Sequence, residues 1–273
     1  MRQIRIRDSC FSHTVAMGAA GENADVAPKH FEWCRDSCSS VTTFYTDAHL
    51  LEAVEDFRPR RVAWLIEPPS HSNTHYEIAV RHRRSFYAIL THDARLLSFM
   101  DPRFKFYPFG GSWIDRSKWG AHPKTKSVCM IASKKKTAPG HRIRHEIARR
   151  FMVDLYGTGY NPFDSKADVL RDYRYAVVVE PIRMDYFFSE KLVDALSMGV
   201  VPIYYGVPSV GEFFDVQGII PFKTIAELEG ILGSIGPEDY ASRLEAIKAN
   251  VERCAEYAVP EDWMFEHYPD LFT

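Results

Sequence analysis

The chain has 273 residues, which is enough for one large domain or two of ordinary size. Hydrophobic residues make up 46% and charged residues 26% of it, the balance of a globular protein. The formal net charge of -2 argues against a protein held on nucleic acid mainly by counterion release. No run approaches the roughly 18 apolar residues of a membrane span, and the N-terminus lacks a signal-peptide core. We therefore expect a cytoplasmic protein without a transmembrane segment, with a peripheral association with the inner membrane left open.

The cysteines are sparse and odd in number: Cys10, Cys34, Cys38, Cys129 and Cys254. This pattern favours reduced thiols over a disulfide framework. A zinc site at Cys34 and Cys38 would need a second pair of ligands, and the sequence offers none at a suitable spacing. The cysteines therefore predict no metal site.

The first part of the chain alternates short β-rich runs with helical patterns. The predicted strands are Arg2–Arg7, Val41–Tyr45, Arg61–Ile66 and Phe86–Thr91. The predicted helices are Pro28–Arg35, which has proline near its start, Ala48–Asp56 and His75–Arg84. This alternation predicts a parallel sheet covered on both faces.

A glycine- and aromatic-rich segment, Tyr107–His122, is predicted to connect two domains, residues 1–115 and 116–273. Beyond it the predicted strands are Ser127–Ala132, Val153–Tyr156, Ala176–Val179 and Val201–Tyr205. The predicted helices are Arg142–Met152, Ser189–Met198, Ala226–Ile235 and Glu238–Glu256. The predicted architecture is two α/β domains with a cleft between them, where ligands bind at the carboxyl ends of the strands.

The most informative segment is Tyr175–Pro208, YAVVVEPIRMDYFFSEKLVDALSMGVVPIYYGVP. A buried strand carries Glu180 to its carboxyl end, and a helix then opens at Ser189, a residue type that caps helix N-termini. The N-terminus of a helix carries a partial positive charge and favours an anion. The positive charge of Lys191 in the first turn is therefore unfavourable there unless an anion is bound. A bound diphosphate would explain this lysine, and a lysine that points into solvent would do so equally well.

This segment resembles the donor-binding motif of the α1,3-fucosyltransferases, glycosyltransferase family 10. The residues that agree with the family pattern are Tyr175, Glu180, Asp185, Tyr186, Glu190, Lys191, Ala195, Gly199, Pro202 and Gly206. The resemblance implies a GT-B-like fold of two Rossmann-type domains with an interdomain cleft. It also implies that Glu190 contacts the donor ribose and Lys191 the diphosphate, with Glu180 and Tyr186 in the same donor site.

A second stretch, Trp64–Ser72 (WLIEPPSHS), is similar to another element of that family. It places Glu67 at the carboxyl end of a buried strand, facing the cleft. Transfer with inversion needs a base for the acceptor hydroxyl, and apolar neighbours such as Trp64 raise the pKa of a carboxylate. Glu67 is therefore the predicted catalytic base. The alternative is a strand-end carboxylate that only accepts hydrogen bonds from loop N–H groups. His71 either shapes the same loop for function or is a purely structural histidine.

The run from Lys134 to Arg150 is strongly basic. The resemblance implies that an arginine near the start of its helix pairs with the donor diphosphate, and Arg144 is the best match, with Arg142 as the alternative. The following VDLYGTG turn is similar to a family turn in which glycines such as Gly157 let the backbone approach a ligand.

The predicted activity is an inverting transfer of a sugar from a nucleotide-sugar donor, GDP-fucose first, to a glycan hydroxyl. Where the family has Asn-Ser, this chain has Pro181 and Ile182, which leaves another GDP-sugar or another nucleotide sugar open. No Asp-x-Asp tripeptide occurs, so no metal cofactor is expected, and cationic side chains would neutralise the leaving group.

Two other classes of function remain open, a phage-type glycosyltransferase acting on DNA bases and a non-catalytic glycan- or nucleotide-binding module. The sequence shows neither the membrane anchor and stem of the family's animal enzymes nor the C-terminal repeats of some bacterial ones. We therefore expect a bacterial or viral origin. The residues up to about Arg60 match no element that we can place, and we expect them to select the acceptor.

Overall fold

Six parallel strands form the first β-sheet of the computed structural model, which describes residues 1–273. The strands are β1 (Arg2–Arg7), β2 (Phe31–Cys34), β3 (Thr42–Thr46), β4 (Arg60–Trp64), β5 (Ala88–Thr91) and β6 (Phe104–Phe106). They lie in the order β2-β1-β3-β4-β5-β6. The register of β3 and β4 sets Thr46 opposite Trp64, so the two strands end at the same edge of the sheet.

Three short helices belong to this half of the chain: α1 (Leu50–Glu55), α2 (Asn73–Arg81) and α3 (Ala94–Leu97). Helix α2 buries Tyr76 and Ala79, which lie three residues apart and therefore on one face of the helix. The two residues join the apolar cluster beneath the sheet. The strand–helix alternation expected from the sequence is thus confirmed from β3 to β6.

The second sheet has five parallel strands in the order β11-β10-β9-β7-β8. They are β7 (Lys126–Ile131), β8 (Asp154–Tyr156), β9 (Tyr173–Val179), β10 (Val201–Tyr205) and β11 (Ile220–Pro221). The helices of this half are α4 (Pro139–Arg150), α5 (Lys166–Leu170), α6 (Glu190–Ser197), α7 (Ile225–Ser234), α8 (Pro237–Ser242), α9 (Leu244–Tyr257) and α10 (Pro260–His267). The predicted α/β architecture with two parallel sheets is confirmed.

The helix predicted over Pro28–Arg35 is wrong, because this segment contains strand β2. Phe31 is buried while Glu32 is exposed, the period of two that a strand requires. The ring of Phe31 packs 4.7 Å from that of Phe272. Proline near a possible helix start was therefore a weaker signal than this alternation.

Other elements also differ from the prediction. The single helix expected over Glu238–Glu256 is two helices, α8 and α9, which meet at Arg243, whose guanidinium binds Asp239 and the carbonyl of Gln217. Strands β6 and β11 and helices α5 and α10 were not predicted. All four are short, at eight residues or fewer, and a short segment does not distinguish a strand from a helix.

The C-terminal residues return to the first sheet. Glu261 on α10 accepts the backbone N–H of Met17 at 2.6 Å and the indole N–H of Trp33 at 3.2 Å. The carbonyl of Thr273 accepts the N–H of Thr42 at 3.0 Å. The end of the chain therefore ties the two halves together and covers the N-terminal part of the first sheet.

Trp64, the last residue of β4, lies at the centre of an aromatic cluster. Its ring packs against those of Phe11, Trp33, Phe44 and Tyr107, at centroid distances of 5.5, 5.7, 6.3 and 5.9 Å. Edge and tilted contacts of this kind stabilise aromatic pairs beyond the burial of area alone. These contacts hold the end of β4, which leads to the cleft, at a fixed position.

Candidate active site

A cavity of about 500 Å³ lies between the two sheets. Its walls come from the carboxyl ends of β4, β7, β8 and β9 and from the first turns of α4 and α6. Parallel α/β sheets bind ligands at this edge, and the volume is in the range of small-molecule sites. The cavity is therefore the candidate active site.

Glu67 enters the cavity from the first sheet, three residues beyond β4. Its side chain is 48% exposed, and its Oε2 lies 3.8 Å from Nδ1 of His71. Partial burial in the cleft, with a smaller contribution from the Asp47 carboxylate, raises the pKa of Glu67 against the opposing effect of His71. The group is thus an accessible carboxylate with an increased affinity for a proton, as a general base requires.

The backbone of Glu67 is fixed by Asp47, a buried residue just after β3. The Asp47 carboxylate accepts the N–H of Ile66 at 2.9 Å, the N–H of Glu67 at 3.1 Å and the thiol of Cys10 at 3.2 Å. Asp47 also has a φ of 30°, which non-glycine residues adopt rarely and at a cost. These contacts hold the start of the Glu67 loop at one position.

On the opposite wall, Glu180 holds the start of α6. It is fully buried, and its carboxylate accepts the backbone N–H of Ser189 at 2.9 Å and the Ser189 hydroxyl at 2.7 Å. The hydroxyl of Tyr204 lies 3.4 Å away. Glu180 therefore lies behind the cavity wall and positions the helix terminus, without lining the cavity itself.

Glu190 and Lys191 occupy the first turn of α6 and both line the cavity. The Lys191 ammonium lies 2.8 Å from Oε1 of Glu190 and 3.0 Å from the Ser189 hydroxyl. Burial acts to raise the pKa of Glu190, but Lys191 and Lys166 outweigh it and lower that pKa to about 2. Both groups are therefore charged at neutral pH, and the ammonium keeps one of its three donors for a ligand.

Arg144 reaches the cavity from the second turn of α4. The residue is 6% exposed, and its Nε and Nη2 both donate to the carbonyl of Val179, with an Nε distance of 3.0 Å. The remaining guanidinium donors are free for an anion. Arg142, the alternative candidate, lies outside this cavity, beside Lys136 and His145 on the opposite face of α4.

Gly157, at the end of β8, has a φ of 115° and also lines the cavity. A Cβ at this position would lie 2.0 Å from the carbonyl oxygen of Ala132. Only glycine fits both the backbone conformation and this close approach of two strand ends.

We expect Gly157→Ala to lower the free energy of unfolding by about 1–3 kcal/mol, the cost of a strained backbone conformation, with the clash in addition. Gly230→Ala in α7 is the control, because a Cβ added there would meet no atom within 4 Å. In α7 the change should raise the free energy of unfolding by up to about 1 kcal/mol, since alanine favours a helix. Urea unfolding measures both, and equal stability of the two variants would contradict the assignment.

A buried ion pair closes the far end of the cavity. Lys166 Nζ lies 2.6 Å from Oδ2 of Asp194 and 3.8 Å from the centre of the Trp113 ring. Oδ1 of Asp194 accepts the Ser112 hydroxyl at 2.8 Å and the N–H of Trp113 at 2.9 Å. The segment that connects the two sheets is thus bonded to α6, one turn beyond Glu190.

The structure brings together five of the seven site residues predicted from the sequence. They are Glu67, Arg144, Gly157, Glu190 and Lys191, and all of them line the cavity. Glu180 lies behind the wall, and Tyr186 packs against Phe106 and Phe213 at 5.5 and 6.4 Å. Tyr186 has a φ of 65°, and its N–H donates to the Ser209 hydroxyl at 3.2 Å.

Several cavity residues were not singled out from the sequence: Trp113, Lys135, His141, Phe163, Lys166 and Asp194. The signal for His141 was present, since Pro139 marks a first helical position and places His141 in the first turn of α4. The predicted helix began at Arg142, which hid this residue. Lys166 and Asp194 meet only through the fold.

Comparison with known proteins identifies the family. The sequence profile of "Glycosyltransferase family 10 (fucosyltransferase) C-term" matches residues 121–257, half of the chain. The chain belongs to glycosyltransferase family 10. A fucosyltransferase-like protein from Arabidopsis thaliana is 26% identical over 124 residues, 44% of this family 10 chain. The matched region spans only 22% of that plant protein.

Solved structures share the fold of this family 10 chain. A crystal structure of an α1,3-fucosyltransferase is similar with a TM-score of 0.57 and 15% identity, over 100% of this chain and 91% of its own. That of an α1,3-fucosyltransferase with GDP-fucose gives 0.52 and 15%, over 80% and 73%. HepE of Anabaena, in complex with UDP, gives 0.58 and 12%, over 84% and 77%. At these identities the likeness establishes the two-domain GT-B architecture alone.

Two further findings concern the whole molecule. None of its helices combines the length and apolar character needed to cross a bilayer. No group of three or more histidine, cysteine, aspartate or glutamate side chains is arranged so that it could hold a metal ion.

Proposed function

We propose that this family 10 chain is an inverting glycosyltransferase that moves a sugar, fucose first, from a GDP-sugar to a glycan hydroxyl. One observation carries the proposal. Glu67, an accessible carboxylate from the first sheet, lines the same cavity as Arg144 and Lys191, two cations from the second sheet. A base on one side and diphosphate ligands on the other are what a direct displacement requires.

In the proposed reaction the nucleoside diphosphate lies along the start of α6. Glu190 accepts hydrogen bonds from the ribose hydroxyls, and Lys191 and Arg144 bind the diphosphate. Glu67 removes the proton of the acceptor hydroxyl as its oxygen attacks the anomeric carbon. The bond from that carbon to the diphosphate breaks on the opposite face, and the two cations stabilise the negative charge that develops there.

In this proposal the guanine of the donor lies at the far end of the cavity, next to Lys166, Asp194 and Trp113. Guanine presents an acceptor, O6, which complements the Lys166 ammonium, while the buried Asp194 carboxylate, engaged by Lys166, Ser112 and Trp113, holds that ammonium in place. The indole offers an aromatic face close to the same point. The solved structure of an α1,3-fucosyltransferase with GDP-fucose supports this choice of donor.

The test is turnover of a donor panel by the purified chain, with a mixture of acceptor glycans. We expect GDP release and a product heavier by one sugar with GDP-fucose, and less product with UDP-glucose. A larger yield with GDP-mannose would assign a different sugar to the same mechanism, as Pro181 and Ile182 leave open. Turnover of UDP-sugars alone, or of no donor, would contradict the proposal.

A further inference from the structure

His141 is a buried side chain that the mechanism above does not use. It lies in the first turn of α4, is 6% exposed and lines the cavity. Its Nδ1 accepts the backbone N–H of Ala138 at 3.1 Å, and the Thr137 hydroxyl lies 3.3 Å from the same atom. Both of these bonds use Nδ1, so Nε2 is the unused polar atom of a nearly buried ring that lines the cavity.

The hydrogen bond from Ala138 fixes the tautomer of the neutral ring. Because Nδ1 accepts, the proton of a neutral His141 must be on Nε2. The first backbone amides of α4 are already used, since the N–H of Gly140 donates to Pro181 and that of His141 to Ala138. The side chain, and not the helix backbone, therefore offers the donor at this end of α4.

The groups that face His141 are all basic side chains. Arg144 lies one turn along α4, Lys135 precedes the helix, and His71 and Lys191 come from the first sheet and from α6. Burial, followed by these charges, lowers the pKa of His141 to about 4. The cavity carboxylates are engaged elsewhere: Glu67 approaches His71, at 3.8 Å, and Glu190 pairs with Lys191 at 2.8 Å.

We propose that Nε2 of His141 donates to the diphosphate of the donor and that the ring takes up a proton when this anion binds. The inference rests on the proposed function and adds a residue to it. A diphosphate brings two negative charges next to a ring whose nearest charged neighbours are now Arg144, Lys135 and Lys191, which favours the imidazolium form. Proton uptake and donor binding are then linked.

The sign of the pH dependence follows from this linkage. The bound state has the higher pKa, so it holds more protons than the free state at any pH between the two values. The donor should therefore bind more tightly as the pH falls through the bound-state pKa toward the free value of about 4. GDP-fucose is the appropriate probe, since its diphosphate is esterified at both ends and lacks the terminal phosphate ionisation near about pH 6.

The experiment is calorimetric titration of the whole chain with GDP-fucose at pH 6, in buffers of different ionisation enthalpy. Wild type should take up a fraction of a proton, and the uptake should grow at lower pH. His141→Gln keeps a hydrogen-bond donor but cannot be protonated, so it should bind without proton uptake. His141→Ala should weaken binding by about 10-fold or more.

Two variants act as controls. His145→Gln lies one turn further on α4, outside the cavity, and should behave as wild type. His71→Gln removes the other cavity histidine and should leave proton uptake in place. Uptake that persists in His141→Gln would overturn the assignment, and its disappearance in His71→Gln would assign the proton to that histidine instead. Binding without uptake by wild type would overturn this inference alone, whereas absence of any binding would contradict the proposed function as well.

Discussion

Glu67→Gln should lower the turnover of sugar transfer by about 10²–10⁴-fold, the usual contribution of a general base. The affinity for the donor should stay nearly unchanged, because Glu67 lies on the acceptor side and the amide conserves its shape. Steady-state kinetics with GDP-fucose measure the first effect, and calorimetry measures the second. Since the free carboxylate is the active form and its pKa is raised, the wild-type rate should increase as the pH rises through that pKa. This increase of the rate with pH should be absent from the Glu67→Gln variant.

Glu77→Gln is the matched control. Glu77 lies on the exposed face of α2 and bonds only to the Asn73 side chain, at 2.6 Å. We expect its rate and pH profile to equal those of wild type. Undiminished transfer by Glu67→Gln would show that another group removes the proton.

Lys191→Met should weaken binding of GDP and GDP-fucose by roughly 10- to 150-fold, which corresponds to about 1.5–3 kcal/mol for a hydrogen bond to a charged group. The affinity for guanosine, which has no phosphate, should change much less. The variant also leaves Glu190 without its closest cation, so the pKa of that carboxyl should rise from about 2. Calorimetric titration with the three ligands separates these effects.

Lys248→Met serves as the control for charge alone, because Lys248 is exposed on α9 and pairs with Glu245 at 3.0 Å. It should bind all three ligands as wild type does. An equal loss for guanosine and GDP in Lys191→Met would mean that the helix start is disturbed, and that the ammonium does not bind phosphate.

The sequence predicted most of the core elements because their patterns are strong. From Tyr175 to Val179, strand β9 is a continuous buried apolar run, as expected for a strand covered on both faces of a parallel sheet. Strand β2 was misassigned because the local pattern is only four residues long, and its partner Phe272 lies at the other end of the chain. Contacts of this sequence separation leave no local signal.

The candidate site was predictable where the chemistry lies within one segment. The segments of Glu190, Lys191 and Glu67 each resemble a family motif, so each residue was singled out, and all three line the cavity. Glu180 was also found, but the sequence does not show that its carboxylate turns inward to Ser189. Lys166 and Asp194 belong to different helices, 28 residues apart, and only the folded chain brings them to 2.6 Å.

Thermal unfolding with a nucleotide panel tests most directly whether the cavity binds a guanosine diphosphate sugar. A ligand at 100 times its dissociation constant adds about 2.7 kcal/mol of stability, which is a clearly measurable shift. We expect GDP and GDP-fucose to raise the unfolding midpoint, and UDP and ADP to leave it unchanged. A shift with UDP or ADP alone, or no shift with any nucleotide, would contradict the proposed donor site.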